Sequence, residues 1–344
     1  VHFLPALVVC AALLLTVGVS AQDEMTDELT PSIWLTSNPA GSENDLLLNL
    51  SLTFDEVLLG VSPGYLASYE SVAFESNGTA WVTVDLTIGE DGVITEGGLM
   101  RIPGLNGMDD IGEAVLITGE NAGIIAPKGV HVVEELGLIL IADQGAKNIK
   151  AFAMNAEADA APELVIEVGE GRSVWDMWLD RTNDILYASG TDGRALAYDE
   201  FTLNFGADGP TRIIEPTDAD GNFIGVNLHG VDIDYDNNAL VLTDVGSPAD
   251  PADGQVFVIY AASISDGPTP VDVRISGADT MLGNPVDVIF YDGGILIAEK
   301  AQDAVLFYAD IFDLSGEIEA AADIVYSLVK AESVDVFPPR VVMQ

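Results

Sequence analysis

GVHVVEELGLILIAD, residues 129–143, reads as two strands joined by a turn. Val130 and Val132 alternate with Gly129 and His131, a period of two that fits a half-buried strand. A polar Glu134-Glu135 pair and Gly137 break the pattern, and Leu138 to Ala142 return as a denser apolar strand. The unit recurs as SVAFESNGTAWVTVD from Ser71, DMWLDRTNDILYASG from Asp176 and GVDIDYDNNALVLTD from Gly230, each spanning fourteen steps. A fifth copy, PVDVIFYDGGILIAE, runs from Pro285 to Glu299 with Gly293 and Gly294 in its turn. Strand units returning at roughly fifty-residue intervals predict an array, solenoid or ring of repeated sheets.

Two more strands follow each unit. The third strands are GLMRI around Leu99, NIKAFAM around Ile149, RALAYD around Leu196, QVFVIYA around Val256 and AVLFYAD around Leu306. The fourth are AVLITG, ELVIEVG, TRIIEP, VDVRIS and DIVYSLV, at Val115, Leu164, Ile213, Val273 and Ile324. Four antiparallel strands per repeat make a propeller blade. Near the N-terminus SIWLTSN, residues 32–38, matches the second strand TAWVTVD, and DLLLNLS and EVLLG follow it. The missing first strand stands at the other end as SVDVF, residues 333–337. The expected fold is all-β: a six-bladed β-propeller of four-stranded antiparallel blades, with the closing blade shared between the N- and C-termini. Such closure hides the edges that an open array exposes.

Residues 1–21 hold an apolar run that ends in Val-Ser-Ala before polar Gln22-Asp23-Glu24, the pattern of a signal peptide. Residues 22–344 are then one propeller domain of a secreted protein, extracellular or periplasmic. The single cysteine, Cys10, falls in the apolar run, so the remainder has no disulfide. Fifty-six acidic against twelve basic residues give a formal charge of −44. That balance argues against nucleic acid and anionic membranes as partners, because both repel such a surface. The expected partner is a small molecule or an extracellular protein.

In a propeller the first strand starts, and the second ends, on one face around the channel mouth. The repeat frame places Glu70, Lys128, Trp175 with Asp176, His229, Asn284 and Glu332 at first-strand starts. Asn38, Asp85, Asp143, Asp244 and Glu299 with Lys300 fall at second-strand ends. Glu70, Lys128, Trp175, Asp176, His229, Asn284 and Glu299 are the candidate ligand-binding residues. Carboxylate, amide and imidazole groups at this density suit Ca²⁺ or another divalent cation, with Glu70, Asn284 and His229 as ligands. Acidic residues at strand ends also serve as acceptors for backbone N–H groups in the following turn, the structural alternative for Asp85, Asp143 and Asp244.

The stretch PKGVHVVEELGLILIADQGAKNIKAF, residues 127–152, resembles an NHL-type repeat in its Pro-x-Gly opening, its Ala142-Asp143 ending, and Asn148 and Ile149 in its third strand. More widely the chain resembles the six-bladed gluconolactonase, senescence-marker and paraoxonase-like hydrolases. That resemblance implies a divalent cation above the channel, held by residues at inner-strand starts such as Glu70 and Asn284, and hydrolysis of a lactone or ester with His229 as ligand or general base. Two readings stay open: a binding module working through the channel mouth, and a metal-dependent hydrolase.

Overall fold

The computed structural model describes residues 31–38, 47–54, 56–61, 67–88, 94–95, 97–105, 111–247, 250 and 252–339. The apolar segment 1–21 lies outside them. Six small sheets stand around a common axis. Blade 1 has the strand order Ala331–Phe337, Ser32–Ser37, Leu47–Leu50, Val57–Val61, so both termini build it. Blade 2 runs Ala67–Phe74, Ala80–Ile88, Gly98–Ile102, Val115–Ile117, and blade 3 runs Pro127–Val133, Leu138–Asp143, Asn148–Ala153, Leu164–Glu167. Blades 4 and 5 begin with Val174–Asp180 and Leu228–Asp234, and blade 6 with Pro285–Tyr291. The six-bladed ring and its shared closing blade are those expected from the repeat.

The core lies between blades rather than within one. Leu140, Ile149 and Ile166 of blade 3 meet Met177, Leu186 and Leu196 of blade 4. Second strands are packed on both faces, and Leu138–Asp143 is buried from Ile139 onward. This is why they read as dense apolar runs rather than as alternation.

Besides Ile94–Thr95, a short strand that pairs with Ala80–Ile88 within blade 2, two features go beyond the expected four-stranded blades. Gly267–Pro270, reached after the third strand of blade 5, pairs in parallel with Arg212–Thr217 at the rim of blade 4. Gly316–Ile318 from blade 6 pairs likewise with Val273–Ser276 of blade 5. Each ties a blade to its neighbour at the outer edge. Pro268 and Pro270 lack N–H groups, which limits further pairing at that edge.

Every innermost strand carries a bulge at the same place. In blade 3 Pro127 faces Asp143 and Val130 faces Ile141, so three steps on one strand oppose two on the other. The same irregularity falls after Tyr69, Val174, Leu228, Pro285 and Ala331. A bulge inserts one residue and re-aims its neighbours. Two consecutive side chains per strand therefore reach the channel mouth, where strict alternation would have turned one away.

Candidate functional site

The upper ring of the channel is Glu70, Lys128, Trp175, His229, Val286 and Glu332, one residue per blade in equivalent register. The bulge adds a second ring beneath it: Ser71, Gly129, Asp176, Gly230, Asp287 and Ser333. From blade 3 to blade 6 small and acidic residues alternate, and the reason is steric. A Cβ at Gly129 would collide with the Asp176 carboxylate, and one at Gly230 would lie 2.7 Å from Asp287 Cα.

Hydroxyl groups of the second strands occupy the bulges. Thr83 Oγ1 accepts from Ser71 N at 3.0 Å and donates to the Lys128 carbonyl of the next blade. Ser189 repeats this between Asp176 N, at 3.0 Å, and the His229 carbonyl. Thr36 Oγ1 donates to the Glu70 carbonyl at 2.8 Å. These contacts satisfy backbone groups that the broken ladder leaves unpaired and join adjacent blades.

Of the residues singled out in the sequence, Glu70, Lys128, Trp175, Asp176, His229 and Glu332 meet at the mouth. Lys128 Nζ lies 2.6 Å from Asp85 Oδ2 and 3.3 Å from Glu70 Oε2, and Lys300 pairs with Glu332. Lys128 also stands over the Trp175 ring, 4.9 Å from its centroid. His229, from the other neighbouring blade, stacks on the same indole at 3.5 Å with planes 9° apart. Its Nδ1 is buried and has no hydrogen-bond partner among the described residues. Burial, then the charges of Lys128 and Lys300, hold its pKa well below the usual value, so the imidazole is neutral.

Asn284 and Glu299 stand elsewhere. Blade 6 closes its hairpin with only Asp292 and Gly293 between Tyr291 and Gly294, both at positive φ (46° and 75°). Such two-residue turns need φ > 0 at both positions. In blade 3 four residues, 134–137, separate the paired Val133 and Leu138. Counting back fourteen steps from Glu299 therefore overshoots by two, and Val286 takes the ring position assigned to Asn284. Glu299 is fully buried and accepts from the backbone N–H groups of Gly283, Asn284 and Ala301 at 2.8–2.9 Å.

Asp143 and Asp244 are the same clasp. Asp143 accepts from Ile125 N and Ala126 N at 3.0 Å, from Ala146 N at 3.1 Å and from Lys150 Nζ at 2.5 Å. Asp244 accepts from Val226 N, Asn227 N and Gly246 N at 2.7–2.9 Å. Their role is the turn-holding alternative. Asp143→Ala removes these acceptors and strands the buried Lys150 ammonium, so its expected cost is about 3–5 kcal/mol in urea unfolding. Asp143→Asn should recover part of that loss.

The residue that sequence reasoning missed is Asp287. It lies in the second ring with Asp176, and the two carboxyls face the same narrow space. Asp176 Oδ2 accepts from Val231 N at 3.3 Å, and Asp287 Oδ2 from Val334 N at 3.0 Å. Fully buried Asp232 reaches Phe290 N at 2.6 Å in the same manner. Each carboxyl thus latches its blade to the next. Burial and the charge of Asp287 push Asp176 up, burial raises Asp287 to about 7, and burial with Glu332 raises Glu70 to about 7.

The fit to a divalent cation is poor. Among the described residues no group of three or more His, Cys, Asp or Glu could hold a metal ion. The neutralising charge at Glu70 comes from the Lys128 ammonium, Asn284 is outside the ring, and Val286 offers no donor. The space between the side chains is also small: the two channel cavities have about 10 Å³ each, the room of a single water.

No family model and no curated protein sequence matches this chain. Solved structures with the same fold include a nidogen/laminin complex, with 13% identity and a TM-score of 0.59 over 89% of this chain and 98% of that one. A putative 6-phosphogluconolactonase from Bacteroides fragilis has 10% identity and a TM-score of 0.57, covering 91% and 99%. A periplasmic gluconolactonase from Pseudomonas aeruginosa has 10% identity and a TM-score of 0.53, covering 89% and 99%. At such identities the likeness is one of fold: the chain is a six-bladed β-propeller, an architecture met among lactonases and in a protein–protein complex.

Proposed function

We propose that this chain is a non-catalytic, secreted binding module that takes an extracellular protein partner on the mouth face of the propeller. One observation carries the reading. Equivalent loop residues two positions before the inner strands of blades 3, 5 and 1, Ile125, Val226 and Val329, are 53%, 49% and 56% exposed. Phe223 adds a further exposed apolar group in the loop leading to blade 5. Exposed apolar groups repeated around one face are the chemistry of a protein contact. They surround a mouth whose lysines are already paired and whose throat has no space for a substrate.

The hydrolase reading draws on the unpaired, neutral His229 and on the fold shared with two lactonases. It needs a cation site that these side chains fit poorly. A panel of lactones and aryl esters, with and without Ca²⁺, separates the two. The expected result is no turnover above background; turnover lost in Glu70→Gln would replace the binding reading with the enzymatic one. Photo-crosslinkers at positions 226 and 329 should join the protein to a partner in its native extracellular fluid. One at Leu203, equally apolar and exposed on the opposite face, should not. Equal labelling from all three positions would reject the mouth face as the contact.

A further inference from the structure

A sizeable cavity lies away from the mouth. It opens on the opposite face, at the seam between blade 6 and the terminus-built blade 1, and has a volume of about 370 Å³. That is within the ~300–1,000 Å³ range of small-molecule sites. Phe290, Tyr291, Phe312 and Phe337 supply its aromatic walls, and Asp234 and Asp292 its acidic groups. Phe290 and Phe312 are stacked, with centroids 5.6 Å apart and planes at 13°. Among the described residues, no Lys, Arg or His lines it.

We propose that this seam cavity binds an aromatic organic cation, a planar ring carrying a primary or quaternary ammonium group. The aromatic walls offer dispersion contact and negative ring faces, which attract ammonium groups. The two aspartates supply the counter-charge, and among the described residues no basic side chain lines the cavity beside them. Asp234 is held in place because its Oδ1 accepts from the backbone N–H and side-chain amide of Asn237, at 2.8 and 2.9 Å. Asp292 is fixed by the two-residue turn of blade 6. An anion or a neutral sugar finds no donor side chain here except Ser32 and the Tyr291 hydroxyl. A bound cation touches both blades at the seam, so it also strengthens closure of the ring. This site is independent of the mouth face and of any partner bound there.

The test uses tryptamine and, as its charge-reversed counterpart, indole-3-propionate. Both are titrated into the full chain by calorimetry and by thermal unfolding at moderate salt. Tryptamine should bind and raise the melting temperature in a concentration-dependent manner, since a ligand that binds only the folded state stabilises it. Indole-3-propionate should do neither. Leu52, at the rim and 38% exposed, allows a blocking variant that leaves the core untouched. Leu52→Trp should weaken tryptamine at least tenfold, and Asp292→Asn several-fold. Because the surface carries so much negative charge, loose cation binding is the competing outcome. Tryptamine affinity unchanged in both variants, equal binding of the two indoles, or no tryptamine binding by the wild-type chain would each overturn the proposal.

Discussion

A chain that ends at Lys330 is expected to lose cooperative folding. The deleted strand, Ala331–Phe337, is buried at all seven positions and forms the innermost strand of blade 1. It pairs with Ser32–Ser37 along the whole strand, from Ser32 against Phe337 to Ser37 against Ala331. Val334 and Val336 belong to the cluster between blades 6 and 1, and Phe337 to the cluster between blades 1 and 2. Burying three such side chains contributes about 6 kcal/mol. The whole stability of a typical domain is only about 5–15 kcal/mol. Removal also leaves Asp287 without the Val334 N–H and exposes the edge of Ser32–Ser37, which invites pairing with other chains. The expected readouts are a missing urea transition and concentration-dependent association. A synthetic peptide of residues 331–344 added in trans should restore the transition. A truncated chain that melts like the full one would reject closure by the C-terminal strand.

The same strand marks how far the sequence could be read. Its place was legible because the N-terminal repeat lacks a first strand and the C-terminus supplies one. The blade count followed from dense second strands, whose burial on both faces leaves an unmistakable apolar run. The site was less legible, for two physical reasons. Hairpin length is not constant: blades 3, 4 and 5 keep the fourteen-step frame, whereas the two-residue turn of blade 6 shortens it and carries Asn284 out of the ring. Blade 2 is shorter by one, which puts Val84 opposite Tyr69 and leaves Asp85 one step beyond, free to meet Lys128. The bulges are the second reason. They turn consecutive residues toward the axis, a pattern that alternation does not encode, and so Asp287 was passed over. The parallel edge strands Gly267–Pro270 and Gly316–Ile318 were hidden by their shortness and their glycine and proline content.

The throat carboxyls predict that this propeller is more stable at mildly acidic pH than at pH 8. Glu70 and Asp287 are both raised to about 7 in the fold, Glu70 by burial and then Glu332, Asp287 chiefly by burial. Asp176 and Glu332 are raised as well, burial being the largest cause for each. The surface that Asp176 and Asp287 retain faces the narrow channel rather than bulk water. A carboxyl with a raised folded pKa keeps its proton in the native state after the unfolded chain has released its own. Stability is then fully present below the unfolded pKa and declines as pH rises toward the folded one. The slope is about 1.4 kcal/mol per pH unit for each group over that window. His229 acts in the opposite sense: its depressed pKa makes the fold lose stability as pH falls below the usual histidine value. Several carboxyls oppose a single imidazole, so the net slope between about pH 5 and 7 remains downward with rising pH. The urea midpoint should therefore peak near pH 5 and fall by pH 8. Asp287→Asn keeps the shape and can retain the Oδ1 acceptor while removing the charge. It should flatten the profile by about one proton's worth and raise the midpoint at pH 8 relative to the wild type. A midpoint that rises from pH 5 to 8, or an Asp287→Asn profile parallel to the wild-type one, would show that these carboxyls are already ionised in the native ring.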